Sequence, residues 1–369
     1  MILKTLSLTN FKNISEANLE FSPKINCLLG NNGMGKSNLL DAIHYLSFAR
    51  SYGRLSDSML IKNGEDFAIL SARYDRQGVE EEIKVGLRRN QRKSFRRGGK
   101  EYKKLSQHIG LLPAVMIAPA DLALVTETAE ERRRFADMII SQSNHTYLEA
   151  LIRYSQSLEQ RNRMLREGIA DATLYEAVET MMDMSAQIIT TTRREFVEQL
   201  AEIFHKYYLE VADKDEAANL TYKQSDEGHT SLSDALEQAR TRDTLLRHTS
   251  VGPHRDDIVF MLNGMPVKQT ASQGQTKTFT IALRLAQYDF LNRATGMKPL
   301  LLLDDIFDKL DANRVERIMN IVRSNRFGQI FITDTNRQHL DEIMQMAAPD
   351  YKIWDVVDGR YTLLTPDAV

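Results

Sequence analysis

Cysteine is almost absent: Cys27 is the only one in 369 residues. An internal disulfide and a multi-cysteine zinc site are thereby excluded. Placed on the apolar run before a glycine-rich loop, Cys27 reads as a small buried hydrophobe. An excess of either charge is also lacking. With 48 Lys and Arg against 50 Asp and Glu, the formal net charge is -2, so binding to DNA or phosphate must come from local clusters of cations, not from a globally basic field. No stretch approaches the roughly 18 to 20 apolar residues of a membrane span, and Met1-Ile2-Leu3-Lys4-Thr5 lacks the apolar run of a signal peptide. The cytoplasm is the expected compartment, with no membrane partner. Internal repeats and low-complexity tracts are missing too. What is present, 42% hydrophobic and 27% charged, suffices for two or three domains with a substantial core.

Three textures follow one another along the chain. Up to about residue 122, Ile2, Leu6 and Leu8 alternate with polar residues, Ile25 to Leu29 is a short apolar run, and Lys36 to Leu46 has helical spacing. Alternation returns from Ala68 to Tyr74 and from Val79 to Leu87, with Val79, Ile83, Val85 and Leu87 on one face, which predicts a half-exposed antiparallel sheet. From 123 to 248, Phe135, Met138, Ile139, Leu148, Leu151, Ile152, Leu158 and Leu165 recur at helical steps. Gly168 interrupts them, and a second run extends from Val178 to Phe204. An antiparallel helical hairpin is expected, each arm roughly forty residues and on the order of 60 Å long, followed by a polar loop from Asp213 to Gly228. After Val251 the α/β texture resumes. A hairpin is expected around Asn263-Gly264, two buried parallel strands at Leu300 to Leu303 and Gln329 to Thr333, and a closing hairpin around Asp358-Gly359.

The motifs give this pattern a chemistry. Gly30-Asn31-Asn32-Gly33-Met34-Gly35-Lys36-Ser37 matches G-x-x-x-x-G-K-[ST] at every fixed position, between a strand and a helix. Glycines let successive N–H groups turn onto phosphate oxygens, and the following helix adds its positive end. Lys36 is expected on the β and γ phosphates of ATP and Ser37 on Mg2+. Asp304 ends an apolar strand, where a magnesium carboxylate belongs; Asp305 follows, pointing elsewhere, to polarise the attacking water. Most ABC ATPases have Glu at that second position, so the shorter Asp predicts slow hydrolysis. Ser272-Gln273-Gly274-Gln275 opens a helix about thirty residues earlier. Alone it is an ordinary serine cap; ahead of the acidic strand it reads as the signature that meets the nucleotide of a second copy. Asp311 stands where a loop crosses the dimer seam, and reads equally as a helix cap. Thr333 stands where relatives sense the γ-phosphate. These elements predict an α/β fold, an ABC-type P-loop ATPase head with an inserted helical hairpin lobe: residues 1–122 and 249–369 as the head, 123–248 as the lobe.

Two basic clusters are candidates for DNA. Arg88, Arg89, Arg92, Lys93, Arg96, Arg97, Lys100, Lys103 and Lys104 place nine cations in seventeen positions around a hairpin. Arg132, Arg133 and Arg134 form the second. Each reads equally as a solvated or internally paired surface.

Together with Asn10-Phe11-Lys12, Asn38 to Ile43, Ala271 to Gln275 and the most specific segment, Val251-Gly252-Pro253-His254-Arg255-Asp256-Asp257, these motifs resemble the RecF family of bacterial recombination-mediator ATPases, of the ABC and SMC-like class, over essentially the whole chain. The resemblance implies an ATP-dependent homodimer that binds DNA at single-strand gaps and junctions and acts with RecR and RecO to help RecA load. The family's Pro-x-Asp/Glu-Leu is present at Pro119 to Leu122. Glu127-Thr128-Ala129 departs from its usual Gly-x-Pro, and Phe135-Ala136-Asp137 from its Phe-Leu-Asp. Rival readings are an SMC or Rad50-like structural head, for whose long arms and zinc hook there is neither room nor cysteine, and a transporter ATPase subunit, which the inserted hairpin disfavours.

Overall fold

The computed structural model describes residues 1–212, 216–226, 228–307, 311–324, 326–335 and 350–364. They form two compact units, one of residues 1–120 with 291–369, the other of residues 121–290.

At the centre of the first unit is a six-stranded sheet. Its order is Arg360–Leu364, Tyr351–Val357, Ile25–Leu29, Ile330–Asp334, Leu300–Asp304, Ala114–Ile117, parallel except for the closing hairpin. Leu300–Asp304 and Ile330–Asp334 are buried at every position, as continuous apolar runs covered on both faces require. The turn of the closing hairpin is Asp358-Gly359, both with left-handed backbone, the geometry that matches strand twist. A second, antiparallel sheet runs Ile14–Glu20, Ile2–Phe11, Phe67–Arg76, Val79–Arg88, Ser94–Arg97, Lys100–Glu101. Ile83, Val85 and Leu87 face its core as expected. Val79 does not: it is exposed, and Glu81 takes the inward position, paired with Arg97. Gln329 ties the two sheets. Its amide accepts from Leu3 N–H at 2.7 Å and donates to Leu3 O at 2.9 Å and Ser22 O at 2.7 Å, while Phe21 packs edge-on against Phe331.

The second unit is mostly helical. Its first arm is not one helix but two, Ala129–Ser143 and His145–Glu167, because the Asn144 backbone is extended and its side chain accepts from Tyr147 N–H, capping a new start. The returning arm, Ala172–Val211, is a continuous helix of 40 residues, and Leu232–Leu246 packs beside it. The stretch expected as loop contains a strand, Ala218–Lys223, whose residues Ala218 and Leu220 point inward; it pairs antiparallel with Asp257–Leu262. That pairing is why residues 249–290 belong with the helices and not, as the sequence suggested, with the head. Beyond the turn Asn263-Gly264 the hairpin's second strand is only Met265–Pro266, after which the chain turns into the helix Val267–Thr270.

Two buried ionic knots hold this unit. Arg161, with no exposed surface, donates to Glu179 at 2.9 Å, Asp243 at 2.7 Å and the Thr249 hydroxyl at 2.9 Å, and Arg240 takes the other Glu179 oxygen at 2.6 Å. Arg193 donates to Asp137 and, at 2.7 Å, to Pro253 O. The segment from Val251 to Asp257 is knotted further: Asp256 accepts from Ser225 N–H and Tyr222 OH, His254 meets Tyr154 OH, and Arg133 donates to Asp256 O. Truncating a buried, multiply bonded ion leaves its partners charged and unpaired. Arg161→Ala is therefore expected to cost about 3 to 5 kcal/mol, measured as an earlier urea transition by far-ultraviolet circular dichroism; a loss below about 1 kcal/mol would mean that Glu179 and Asp243 find other partners.

Candidate nucleotide-binding site

The strand Ile25–Leu29 delivers the glycine loop to the first residue of the helix Lys36–Phe48. Two glycines are forced. A side chain at Gly30 would run into the Val356 carbonyl, and Gly35 has a left-handed φ of 115° with Asn13 Oδ1 only 2.9 Å from where a Cβ would stand. Lys36, although buried, pairs with no described carboxylate. Its ammonium donates to Gly30 O at 2.6 Å and Asn31 O at 3.0 Å, both in the loop itself, so its positive charge stays available to an anion held there.

Ser37 reaches the acidic strand. Its hydroxyl donates to Asp304 Oδ1 at 2.8 Å. The same oxygen accepts from Thr333 Oγ1 at 2.8 Å, and Asp305 N–H donates to that hydroxyl at 3.0 Å. Burial raises the Asp304 pKa, opposed by the hydrogen bonds from Thr333 and Ser37 and by the charges of Lys36 and Lys12. A carboxylate so placed lowers stability once it ionises and is held ready for a cation. Asp305 turns away by a left-handed backbone, φ 47°, rare for a residue with a Cβ. Thr333 has no exposed surface, and its hydroxyl links the Asp304 carboxylate to the Asp305 N–H.

Ser272 and Gln275 form a reciprocal capping box. Gln275 Oε1 accepts from Ser272 N–H at 2.7 Å, and Ser272 Oγ accepts from Gln275 N–H at 3.2 Å. The helix start around exposed Gln273 and half-exposed Gly274 keeps its positive end toward solvent, a place for an anion offered from outside. Asp311 caps the helix Ala312–Arg323, accepting from Arg314 N–H at 3.0 Å, which lowers its pKa; its side chain is half exposed. The adjoining residues Asp308 to Leu310 lie outside the described residues. Sequence reasoning missed Asn13, which joins the loop at Met34 O and the helix at Asn38, and Tyr361, whose hydroxyl donates to Gly35 O. Neither carries a motif of its own.

Comparison with known proteins decides the family. The RecF/RecN/SMC N terminal domain family matches residues 2–351. "DNA replication and repair protein RecF" of Parabacteroides distasonis is 50% identical over 98% of both chains, and that of Phocaeicola vulgatus 46% identical over 98% of both. A solved structure described as "the recombination mediator protein RecF-ATP in RecFOR pathway" has a TM-score of 0.88 at 28% identity, covering 99% of this chain and 98% of the other. The chain belongs to the RecF family. An Smc head domain from Pyrococcus furiosus, with a TM-score of 0.58 at 16% identity over 98% of this chain and 96% of the other, shares its fold. This RecF-family chain is thus an ABC-type head with a helical unit, in a family of DNA replication and repair proteins. Among the described residues no helix is long and apolar enough to cross a membrane.

The basic clusters divide sharply. Arg89 donates to the carbonyls of Glu65, Ser58 and Lys62, Arg97 pairs with Glu81, and Lys93 sits between Ala49 O at 2.6 Å, Tyr45 OH and Asp57. Arg132 forms a two-point pair with Asp257, and Arg134 pairs with Glu130 and Glu131. With Arg133 on Asp256 O, these side chains are bound within the chain, in line with the internally paired reading that the sequence left open beside DNA binding. Arg88, Arg92, Arg96, Lys100, Lys103 and Lys104 remain exposed with no described carboxylate partner, at the edge of the antiparallel sheet.

That edge is anchored by His108, fully buried between Leu46 O at 2.6 Å and Tyr102 OH at 3.1 Å, and burial lowers its pKa to about 4. The unfolded chain binds this proton below about pH 6.5, the folded one only near 4. Stability contributed by neutral His108 is therefore complete above 6.5 and lost as pH falls, by about 1.4 kcal/mol per pH unit. His108→Gln, which keeps a polar side chain but does not titrate, should flatten urea-unfolding stability between pH 6.5 and 4; an unchanged slope would show that other groups set the acid limit.

Proposed function

We propose that the chain is an ATP-gated DNA-binding protein of recombinational repair in the cytoplasm. The observation that carries this reading is the meeting of Ser37 and Asp304 at 2.8 Å beside Lys36. Mg2+ keeps an octahedral oxygen shell made mostly of water and phosphate, with one or two protein oxygens. The Ser37 hydroxyl and the Asp304 carboxylate fit that demand and would hold it; when bound, Mg2+ offsets the charge on the phosphates. Lys36 and the N–H groups from Gly30 to Ser37 bind the phosphates, and Asp305 orients the attacking water. Asp311 completes the seam between protomers. Its shorter side chain makes Asp305 a modest water holder, so hydrolysis is slow and serves to reset the protein. The kinship with a RecF solved with ATP supports the nucleotide.

ATP joins two copies in this reading, because Ser272 and Gly274 of the partner subunit close the site through the exposed start of their helix. The dimer binds gapped DNA or single-strand/double-strand junctions and, with RecR and RecO, helps RecA load. Gel filtration tests this. Wild type should dimerise with ATP and not with ADP, Ser272→Arg should bind ATP yet stay monomeric, and Asp305→Asn should hold the ATP dimer longer. Dimerisation of Ser272→Arg at the wild-type level would end the shared-site reading.

For DNA, the candidates are the exposed cations of the sheet edge. Replacing Arg88, Arg92 and Arg96 together by Gln should weaken gapped-DNA binding whatever its sequence, and lower the slope of log affinity against log salt by about one for each phosphate no longer neutralised. ATP-dependent dimerisation should persist. An unaltered salt titration would clear the edge of this role.

A further inference from the structure

The phosphate loop is gripped from outside by two turns far apart in sequence. Asn13, in the turn between Ile2–Phe11 and Ile14–Glu20, donates from Nδ2 to Met34 O at 3.2 Å and accepts from Asn38 Nδ2 at 2.7 Å. From the closing hairpin, Gly359 N–H donates to the same Met34 carbonyl at 2.7 Å, and the Tyr361 hydroxyl to Gly35 O at 2.9 Å. Burial raises the Tyr361 pKa, so the phenol is a proton donor at any working pH. Two successive carbonyls are thus each held by side chain and backbone; Gly35 O also accepts from Asn38 and Leu39 N–H.

Peptide units are planar and trans, so a carbonyl fixed in one direction fixes the next N–H in the opposite one. Holding Met34 O outward turns the Gly35 N–H inward, and holding Gly35 O does the same for the Lys36 N–H. Those are the N–H groups that a loop of this kind offers to an anion. Within the loop nothing else directs Met34 O, since the Gly35 that follows has no side chain and its left-handed backbone is one of several open to glycine; Gly35 O is already directed by the helix through Asn38 and Leu39 N–H, and Tyr361 adds a further hold.

We propose that Asn13 and Tyr361 are positioning residues of the nucleotide site, which pre-set the peptide planes of Met34 and Gly35 so that their N–H neighbours meet phosphate without rearrangement. The inference rests on the nucleotide reading above. Pre-setting improves binding by removing an ordering cost that the ligand would otherwise bear. ADP and ATP are affected alike, since both bring the phosphates that the loop wraps. Asp305 and the water it orients lie elsewhere, so turnover at saturating ATP changes less than affinity.

The test is calorimetric titration of ADP and ATP, with steady-state turnover and the melting temperature of the nucleotide-free protein, on three variants. Tyr361→Phe removes only the hydroxyl. Asn13→Asp keeps shape and the acceptor for Asn38 but has no N–H for Met34 O; because it also adds a negative charge beside the loop, it is titrated against wild type at low and high salt, and only the loss that salt does not relieve counts for positioning. Lys36→Ala reports on the nucleotide site itself. About tenfold weaker binding of both nucleotides is expected for Tyr361→Phe and for Asn13→Asp, with the apparent KM raised in step, kcat altered less, and the melting temperature of Tyr361→Phe unmoved. Wild-type affinity in both variants would overturn the positioning role and leave the site standing. Affinity lost only as far as melting temperature falls would overturn it too, in favour of a general structural role. A wild-type protein that binds neither nucleotide, or Lys36→Ala binding as well as wild type, would overturn the nucleotide reading itself and the positioning role with it.

Discussion

The hydrogen bond from Ser37 to Asp304 joins the start of a helix to the end of a strand 267 residues away in sequence. Much else in the first unit follows from making that meeting possible. The buried strands Leu300–Asp304 and Ile330–Asp334 must lie in register, so that Thr333 falls opposite Asp304 and can hold it. The glycine loop must turn tightly enough to bring Ser37 over that strand end, hence the forced glycines at 30 and 35. The Asp305 backbone must bend into a sparsely populated region directly afterwards. Packing of apolar runs supplies the stability for these arrangements, and the polar atoms take the positions the packing leaves them.

Much of this was legible in the sequence because it is local. A glycine loop between strand and helix, an apolar run ending in two acids, and a serine cap with its glutamine three residues on are all written in consecutive residues, and the structure builds each where it stands. The sequence was misleading where a side chain's role depends on a distant partner. Thr333 was read only as a γ-phosphate sensor, because nothing near it in sequence reveals that its hydroxyl bonds Asp304. For Arg89, Lys93, Arg97 and Arg132 the choice between a DNA-binding and an internally paired surface stayed open, because the Glu65 carbonyl, Asp57, Glu81 and Asp257 that hold them are remote along the chain. Asn13 and Tyr361 gave no signal at all, being an ordinary turn residue and an ordinary strand residue.

In the second unit the lesson is the same with charge in place of geometry. Helical periodicity located the long arms, but neither the break at Asn144 nor the strand Ala218–Lys223 has a strong enough pattern to be read against its surroundings. The segment from Val251 to Asp257 was read as the most specific of the family, and within this unit it is a knot of hydrogen bonds around Arg193, Ser225 and Tyr154. Such a knot explains why so polar a string is acceptable there: each polar group has somewhere to go.

Sheet order has a consequence for how the protein is made. The strand Ile25–Leu29, which leads into the phosphate loop, has as its two neighbours Ile330–Asp334 and Tyr351–Val357. During synthesis it emerges early and has neither neighbour until the ribosome has passed residue 330, whereas residues 121–290 are contiguous and can pack as soon as they appear. The apolar strand that leads into the glycine loop is thus without its sheet partners for most of translation, and open to misassociation in that interval.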